Sequence, residues 1–232
     1  MAPSIEEWWA EIPPVTKALM IAAIGTTAVV SLGIVHPADL YLDTHAVVRH
    51  VQVWRLLTCF SFLGTIGIGW FLQLYIISKY GATLEKEYFR GATSRADFVF
   101  MLVFSASVLV LASLVVPGLY FLGPSLVTVL IYVWSRSDPH IPVTFFGFRF
   151  QAWQVPFLLM VFHVLMGGSA LPDIVGILAG HAYYFSTTVV PRAYGVTLVK
   201  TPAFLIGQLA QEGPARAGMS WRRTGQGHRL AD

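Results

Sequence analysis

The chain has 232 residues, of which 56% are hydrophobic and only 12% charged, and its mean hydropathy is +0.66. An ordinary soluble domain has about a quarter of its residues charged, so this composition indicates a membrane protein. The net charge of +3 does not indicate a partner nucleic acid, because the basic residues lie between apolar runs and form no single stripe.

Residues 1–14 are predicted to form an amphipathic helix that lies on the cytosolic surface of the membrane. Ser4 and Glu7 have the spacing of a capping box, and Pro13 and Pro14 end the turn. Four apolar residues fall on one face of this helix: Ile5, Trp8, Trp9 and Ile12. Because tryptophan prefers the headgroup layer, we expect this segment to be an interfacial anchor.

Six apolar runs follow within residues 15–190, and each is predicted to be a membrane-spanning helix. They extend from Val15 to Val35, Phe62 to Ser78, Phe98 to Val116, Phe121 to Trp134, Trp153 to Met166 and Ile174 to Val190. The fourth run rises only about 21 Å, and the fifth contains Pro156 and ends at Gly167. Such short helices require tilt, burial by neighbours or a thinned bilayer, unless the boundaries are misplaced.

The basic residues predict the orientation of these spans. Of the 15 lysines and arginines, all except Arg49 and Arg55 fall on one side when the loops alternate across the membrane. The positive-inside rule therefore places both termini in the cytosol. Glu85, Lys86 and Glu87 follow the second run, and we expect them in a solvated cytosolic turn.

The long loop between the first two spans, residues 36–61, is predicted to be lumenal and contains the pair Trp54-Arg55. Arg55 has two interpretations: it binds loop carbonyls and fastens the loop to the bundle, or it draws lipid headgroups and polar substrate groups towards the membrane. The loop histidines match no zinc motif, and the single cysteine, Cys59, excludes a cysteine-based metal cluster. We expect neither a metal nor a cofactor.

Several sequence blocks follow one another in the order seen in one membrane-protein family. They are "IPPVTK", "QVWRLLTCF", "LEKEYFRGATSRADFVFML", "IYVWSRSDP", "FFGFRFQAWQVPF", "GILAGHAYYF" and "LVKTPAFL". With these blocks the chain resembles the Derlin family over residues 8 to 205. The resemblance implies an all-helical, rhomboid-like bundle of six membrane spans in the endoplasmic reticulum, without protease activity, which assists the removal of misfolded proteins to the cytosol. It also implies a membrane ubiquitin ligase as partner and is compatible with a homo-oligomer.

A small-residue motif lies in the sixth run, where Gly176 and Gly180 are one helical turn apart. Two glycines at this spacing flatten one helix face, so that a neighbouring backbone can approach closely. The family resemblance implies that this motif and the pair Trp54-Arg55 are the rhomboid-derived signatures. It also implies that the fourth span is the helix that packs against the glycines.

An intramembrane serine protease is the main alternative. Active rhomboids carry a nucleophilic serine in a G-x-S-G motif, and Gly123, Pro124 and Ser125 stand at the corresponding place here. The next residue is Leu126, however, where the motif has glycine. The chain also contains no asparagine, which removes one common side-chain donor for an oxyanion.

The general base of such a protease is also missing from its expected position. The rhomboid histidine lies three residues before the first glycine of the sixth-span motif, and Asp173 stands there, where we expect it to cap the helix. His181 lies more than two turns further along, and we expect it and His163 to be buried groups bonded to neighbouring helices. A channel or transporter for small solutes is a more distant alternative.

Residues 191–232 are predicted to be a cytosolic and mostly flexible tail, because they lose the apolar runs and end in a segment rich in glycine and arginine. The box at 225–230 resembles the Derlin motif that binds the valosin-containing AAA ATPase. Its matching residues are Gly225, Gly227, Arg229 and Leu230. Family boxes place an aromatic residue shortly before the first glycine, whereas here Trp221 stands further away.

Overall fold

The structure is a computed structural model that describes residues 4–89, 93–145, 147–197 and 199–209, and it is mostly helical. The helices are α1 (Ile5–Glu11), α2 (Pro14–Ser31), α3 (Thr44–Arg49), α4 (Arg55–Ser61), α5 (Ile68–Ile76), α6 (Ser94–Val115), α7 (Gly123–Ser137), α8 (Val155–Leu165), α9 (Leu171–Tyr184), α10 (Val190–Tyr194) and α11 (Ala203–Leu209). Short 3-10 helices lie at Pro37–Asp39 and Ala152–Gln154, and π-helical turns at Ile77–Gly81, Leu84–Tyr88 and Phe185–Val189.

Only α2 and α6, among the described residues, are long and apolar enough to cross a membrane by length and composition. The six-span bundle therefore remains a prediction. The fourth run forms the 15 residues of α7 and the fifth forms the 11 residues of α8. At about 1.5 Å per residue, α7 rises about 22 Å, so the fourth run is short in the structure as well.

The second apolar run starts later and ends later than its hydropathy predicted. Residues 62–67 are not helical, and Gly64 adopts a φ of 112°, which only glycine accepts readily. The helix begins at Ile68 and continues through two π-helical turns to Tyr88. The glycine-rich sequence before Ile68 explains the late start, since glycine is a poor helix former.

The expected solvated turn at residues 85–87 is wrong for Glu85, which lies in the last π-helical turn and is only 2% exposed. Its carboxylate accepts hydrogen bonds from the backbone N–H groups of Val15 and Thr16, at 3.1 and 2.8 Å, and from the Thr16 hydroxyl at 2.8 Å. The start of α2 therefore lies beside the end of the helix that begins at Ile68. This contact is compatible with the predicted orientation, which assigns both ends to the cytosolic side.

Local helix signals are mostly found where the sequence placed them. The capping box at Ser4 and Glu7 is present, with each side chain accepting from the other residue's backbone N–H group. Pro156 lies in the first turn of α8, where its missing N–H group costs nothing, so it does not interrupt the helix. The helix ends before Gly167, which has a φ of 82°.

The fold is not wholly helical, which corrects the all-helical prediction. Strands β1 (Pro142–Phe145) and β2 (Phe148–Gln151) form an antiparallel hairpin between α7 and α8. The residues of β2, Phe-Arg-Phe-Gln, alternate between apolar and polar, a period of two that fits a strand better than a helix. Gly147 adopts a φ of 84° in the connecting turn.

Helix α7 lies at the centre of the helical packing. Its residues from Ser125 to Val133 are all buried, and it contacts α4, α5, α6, α8 and α9. The surrounding core includes large buried side chains from several helices: Leu84, Phe98, Met101, Leu109 and Leu122. A helix that is buried on every side along most of its length occupies a central position, because none of these faces needs to meet water.

Candidate functional site

Helix α9 packs on α7 through the glycine motif. A Cβ atom added to Gly176 would lie 2.5 Å from the Ser125 carbonyl oxygen and 2.8 Å from the Thr128 Cβ atom. A Cβ atom added to Gly180 would lie 3.0 Å from the Tyr132 ring. The two helices therefore approach so closely that only glycine fits at Gly176, and the expected neighbour of the motif, the helix of the fourth apolar run, is the one found there.

Asp173 is the polar centre of this interface and is only 2% exposed. Its carboxylate accepts a hydrogen bond from the Thr128 hydroxyl at 2.9 Å, and the Nδ1 atom of His163 lies 2.9 Å from its Oδ2 atom. It therefore joins α7, α8 and α9. The expected capping role for Asp173 is wrong, because its side chain binds groups on two other helices; burial requires such partners.

Ser125 is fully buried at the N-terminal end of α7, and its hydroxyl makes no hydrogen bond to any described residue. Gly123, the first residue of the protease-like motif, serves close packing: an added Cβ atom would lie 2.7 Å from the Phe60 carbonyl oxygen and 2.8 Å from that of Phe62. The geometry around Ser125 therefore lacks a bound general base within the described part of the chain.

His181 lies two turns along α9 from Asp173, away from Ser125. Its Nδ1 atom is 2.7 Å from the hydroxyl oxygen of Tyr132, one turn beyond Thr128 on α7. Both His163 and His181 thus bind partners on other helices, as expected. The expected burial is wrong for His181, which is exposed, and His163 is only half-buried. The structure does not bring either histidine into a hydrogen bond with Ser125 among the described residues.

Thr128 is the site residue that the sequence analysis missed. The signal was present, because Ser125, Thr128 and Tyr132 are spaced three and four residues apart and therefore share one face of a helix. That face meets Gly176 and Gly180 in the structure. A stripe of small and polar residues opposite a glycine motif indicates a close helix pair.

Arg55 braces the loop at 36–61, which contains α3, α4 and a 3-10 helix. Its Nη1 atom donates to the carbonyl oxygens of Ala38 and Tyr41, at 2.9 and 3.1 Å, and its Nε atom donates to the Gln52 side chain at 2.6 Å. The guanidinium carbon also lies 5.4 Å from the centre of the Tyr41 ring. Trp54 precedes it and is 53% exposed. These bonds to loop carbonyls are the first part of the structural interpretation of Arg55, but all of these partners lie within the loop itself, so the bonds brace the loop internally and do not fasten it to the helical bundle.

The loop is joined in turn to the central helix, but Arg55 does not reach the Asp173 cluster by any contact between described residues. Leu122, directly before α7, donates its backbone N–H group to the Cys59 carbonyl oxygen on α4, at 2.9 Å. Leu42 in the loop donates to the Tyr120 carbonyl oxygen at 2.9 Å. The candidate residues therefore form two clusters, one in the loop and one between α7, α8 and α9.

The tail motif that the sequence singled out lies outside the described residues. Its members are Gly225, Gly227, Arg229 and Leu230. The first part of the predicted tail contains α10 and α11, and the Thr201 hydroxyl donates a hydrogen bond to the Asp97 carboxylate on α6.

Comparisons with known proteins agree with the family resemblance that the sequence blocks indicated. The model of the Der1-like family matches residues 12–203. Derlin-2.2 of Arabidopsis thaliana is 40% identical over 223 residues, covering 91% of each chain. Derlin-2 of Oryza sativa subsp. japonica is 36% identical over 235 residues, covering 94% of each chain. Derlin-1 of Arabidopsis thaliana is 37% identical over 202 residues, covering 86% of this chain and 75% of the Derlin-1 chain. The chain therefore belongs to the Der1-like family.

Proposed function

We propose that this protein is a Derlin-type component of endoplasmic-reticulum-associated degradation that assists the movement of misfolded proteins from the endoplasmic reticulum to the cytosol. The observation that carries the proposal is the match to the Der1-like family over residues 12–203, which includes both candidate clusters. The proposal is tested by expressing the chain in cells that lack their own Derlins. Restored degradation of a misfolded lumenal protein supports it, and no restoration at normal abundance contradicts it.

The geometry of the α7–α9 interface supports a role without catalysis. A serine nucleophile needs a base within hydrogen-bond reach and access to a substrate. Ser125 is fully buried, and the position of the rhomboid base is occupied by Asp173, which binds Thr128 and His163. We infer that the interface holds the helices together and does not cleave peptide bonds.

The alternative of an active protease makes a direct prediction. We expect the purified protein not to react with a serine-directed fluorophosphonate probe, because a fully buried hydroxyl without a base is neither accessible nor activated. The measurement is in-gel fluorescence of the wild type beside Ser125→Ala. Labelling of the wild type that disappears in Ser125→Ala would establish a reactive serine and reverse the proposal of a non-enzymatic protein.

We propose a mechanism in which short helices and the first loop disturb the bilayer, so that a substrate segment enters laterally among the helices. Support comes from α7, which rises about 22 Å against a hydrocarbon core of about 30 Å. In this arrangement six spans cross the membrane of the endoplasmic reticulum and both termini lie in the cytosol. The distribution of lysine and arginine supports that orientation.

The proposed partners follow from family membership and from the tail sequence. A membrane ubiquitin ligase would modify the emerging client, and the valosin-containing AAA ATPase would bind the box at 225–230 and extract it. Glycines let an extended peptide lie close to a groove, while Arg229 and Leu230 supply a charge and an apolar anchor. A homo-oligomer is compatible with the same mechanism.

Arg55→Ala tests the contribution of the first loop. We expect it to slow client degradation several-fold at normal abundance and to make the loop more sensitive to lumenal protease, because the bonds to Ala38, Tyr41 and Gln52 are lost. Arg49→Ala is the matched control, since Arg49 is exposed in the same loop. If Arg55→Ala loosens the loop but client turnover equals that of Arg49→Ala, the loop has no part in dislocation.

A further inference from the structure

The hairpin between α7 and α8 has one apolar face and one polar face. In its register Val143 pairs with Phe150 and Thr144 pairs with Arg149. Because paired residues share a face and successive residues alternate, Val143, Phe148 and Phe150 lie on one side, while Thr144 and Arg149 lie on the other. The proposed function assigns no role to this element.

The apolar face is only partly covered by the protein. Val143 packs against the core, but the Phe148 side chain is 71% exposed. Ile141 before the hairpin and Trp153 after it are also exposed, at 45% and 38%. An exposed cluster of large apolar side chains marks a surface that contacts a partner or a membrane.

The position of the hairpin in the chain favours a membrane as the occupant. It follows α7, which is about 8 Å too short to cross a hydrocarbon core of about 30 Å. It also leads into α8, where Phe157, Val161 and Val164 are exposed at helical spacing, so the helix that follows the hairpin presents an exposed apolar face as well. A soluble partner would have to cover both the apolar face of the hairpin and the exposed face of α8.

The charge of Arg149 and the unpaired backbone groups of the strands indicate how deep the hairpin lies in the membrane. Each strand has one outer edge without a strand partner in the described part of the chain, and unpaired backbone groups are costly within hydrocarbon. Arg149 is exposed on the polar face, where a guanidinium group can meet anionic headgroups. Both features suit the boundary between headgroups and acyl chains.

We propose that the β1–β2 hairpin is a membrane-interface element: Phe148 and Phe150 lie among the outer acyl-chain segments of the cytosolic leaflet, and Arg149 lies at the lipid phosphates and carboxylates. The hydrogen bonds between β1 and β2 then satisfy the facing backbone groups of the hairpin at the depth where the short helix α7 ends. The proposal rests on the chain being a membrane protein in the orientation proposed above, but not on a role in degradation.

The single cysteine of the chain makes the test direct. Cys59 is fully buried, and burial raises the pKa of its thiol to about 12, so it stays a neutral, inaccessible thiol at neutral pH. Bimane is attached to Phe148→Cys and, as the matched control on the opposite face, to Thr144→Cys. The wild-type chain, treated with the same reagent, shows how much label Cys59 takes up. Each protein is reconstituted into vesicles of phosphatidylcholine and phosphatidylserine.

Quenching then reports the location of each label. We expect the Phe148→Cys label to be quenched several-fold more by lipids with a spin label near the glycerol end of the acyl chain than by lipids labelled near the methyl end. The Thr144→Cys label should instead be quenched by aqueous iodide. Reversing the charge in Arg149→Glu should lower lipid quenching at position 148 in these vesicles but not in pure phosphatidylcholine.

Two results would overturn the proposal. Equal iodide quenching of both labels would place the whole hairpin in water. A position 148 label shielded from iodide but not quenched by lipid would show that protein, a second copy or another partner, covers the face. Flotation of the protein with the vesicles separately tests whether it is a membrane protein, and the melting temperature of each variant verifies its fold.

Discussion

Replacing Gly176 with alanine should destabilise the protein more than either of the other glycine-to-alanine changes compared below. The added Cβ atom would lie 2.5 Å from the Ser125 carbonyl oxygen and 2.8 Å from the Thr128 Cβ atom. Neither atom is the end of a flexible chain, so the two helices must separate. Overpacking of this kind costs about 1 to 3 kcal/mol, and we expect the upper end of that range.

A graded series of the same substitution separates packing from helix propensity. At Gly180 the added Cβ atom would meet the Tyr132 ring at 3.0 Å, and a ring can shift slightly, so a smaller loss is expected. Gly25 on α2 has open space around the position of a Cβ atom. Gly25→Ala should therefore stabilise the helix by up to about 1 kcal/mol, because alanine is the better helix former.

The measurement is the free energy of unfolding in mixed detergent micelles, followed by circular dichroism. The expected order of stability is Gly25→Ala, wild type, Gly180→Ala and Gly176→Ala, from most to least stable. If Gly176→Ala were as stable as Gly25→Ala, the close approach of α7 and α9 would be wrong. The position of Asp173 beside Thr128 would then lose its support as well.

The glycine face of the α7–α9 interface could be predicted from sequence because its signal is local, whereas the choice of α7 as its partner came from the family resemblance. Gly176 and Gly180 lie one turn apart, and Ser125 and Thr128 lie on one face of the facing helix. The capping box at the N-terminus was predictable for the same reason. Such patterns depend on the helix period, which is a property of the backbone alone.

The parts that sequence reasoning missed depend on partners far along the chain or on short elements. Glu85 binds residues 69 and 70 positions earlier, and no period links such a pair. Asp173 looked like a helix cap, because its partners His163 and Thr128 lie on other helices. The hairpin strands have only four residues each, too few for their alternation to be distinguished from an irregular loop.

Glu85→Ala is expected to cause the second large loss of stability. Helix α2 begins after Pro13, which has no side chain that could accept a hydrogen bond from the first turn. Glu85 fills that role from the neighbouring helix, with its carboxylate bound to the N–H groups of Val15 and Thr16 and to the Thr16 hydroxyl. A negative charge at this place also interacts favourably with the helix dipole.

Removing the carboxylate leaves the buried N–H group and hydroxyl of Thr16 and the partly buried N–H group of Val15 without their acceptor, and a cavity beside them. Each unsatisfied buried group costs about 1 to 3 kcal/mol, so we expect a total of about 3 kcal/mol or more. Glu85→Gln keeps an acceptor oxygen but loses the charge, so its loss should be smaller. Ser4→Ala is the control for an ordinary cap, because that capping box is exposed, and it should cost about 1 kcal/mol.

The same unfolding measurement decides between a buried cap and a solvated turn at Glu85. A buried cap predicts that Glu85→Ala costs far more than Ser4→Ala and that Glu85→Gln recovers part of the difference. A solvated turn predicts that Glu85→Ala and Glu85→Gln both stay close to the wild type and cost less than Ser4→Ala. Because Ser94 also donates its hydroxyl to the Glu85 carbonyl oxygen at 2.7 Å, the loss at Glu85 should spread to the start of α6. Faster amide exchange at the first turns of both α2 and α6 would then accompany the lower stability.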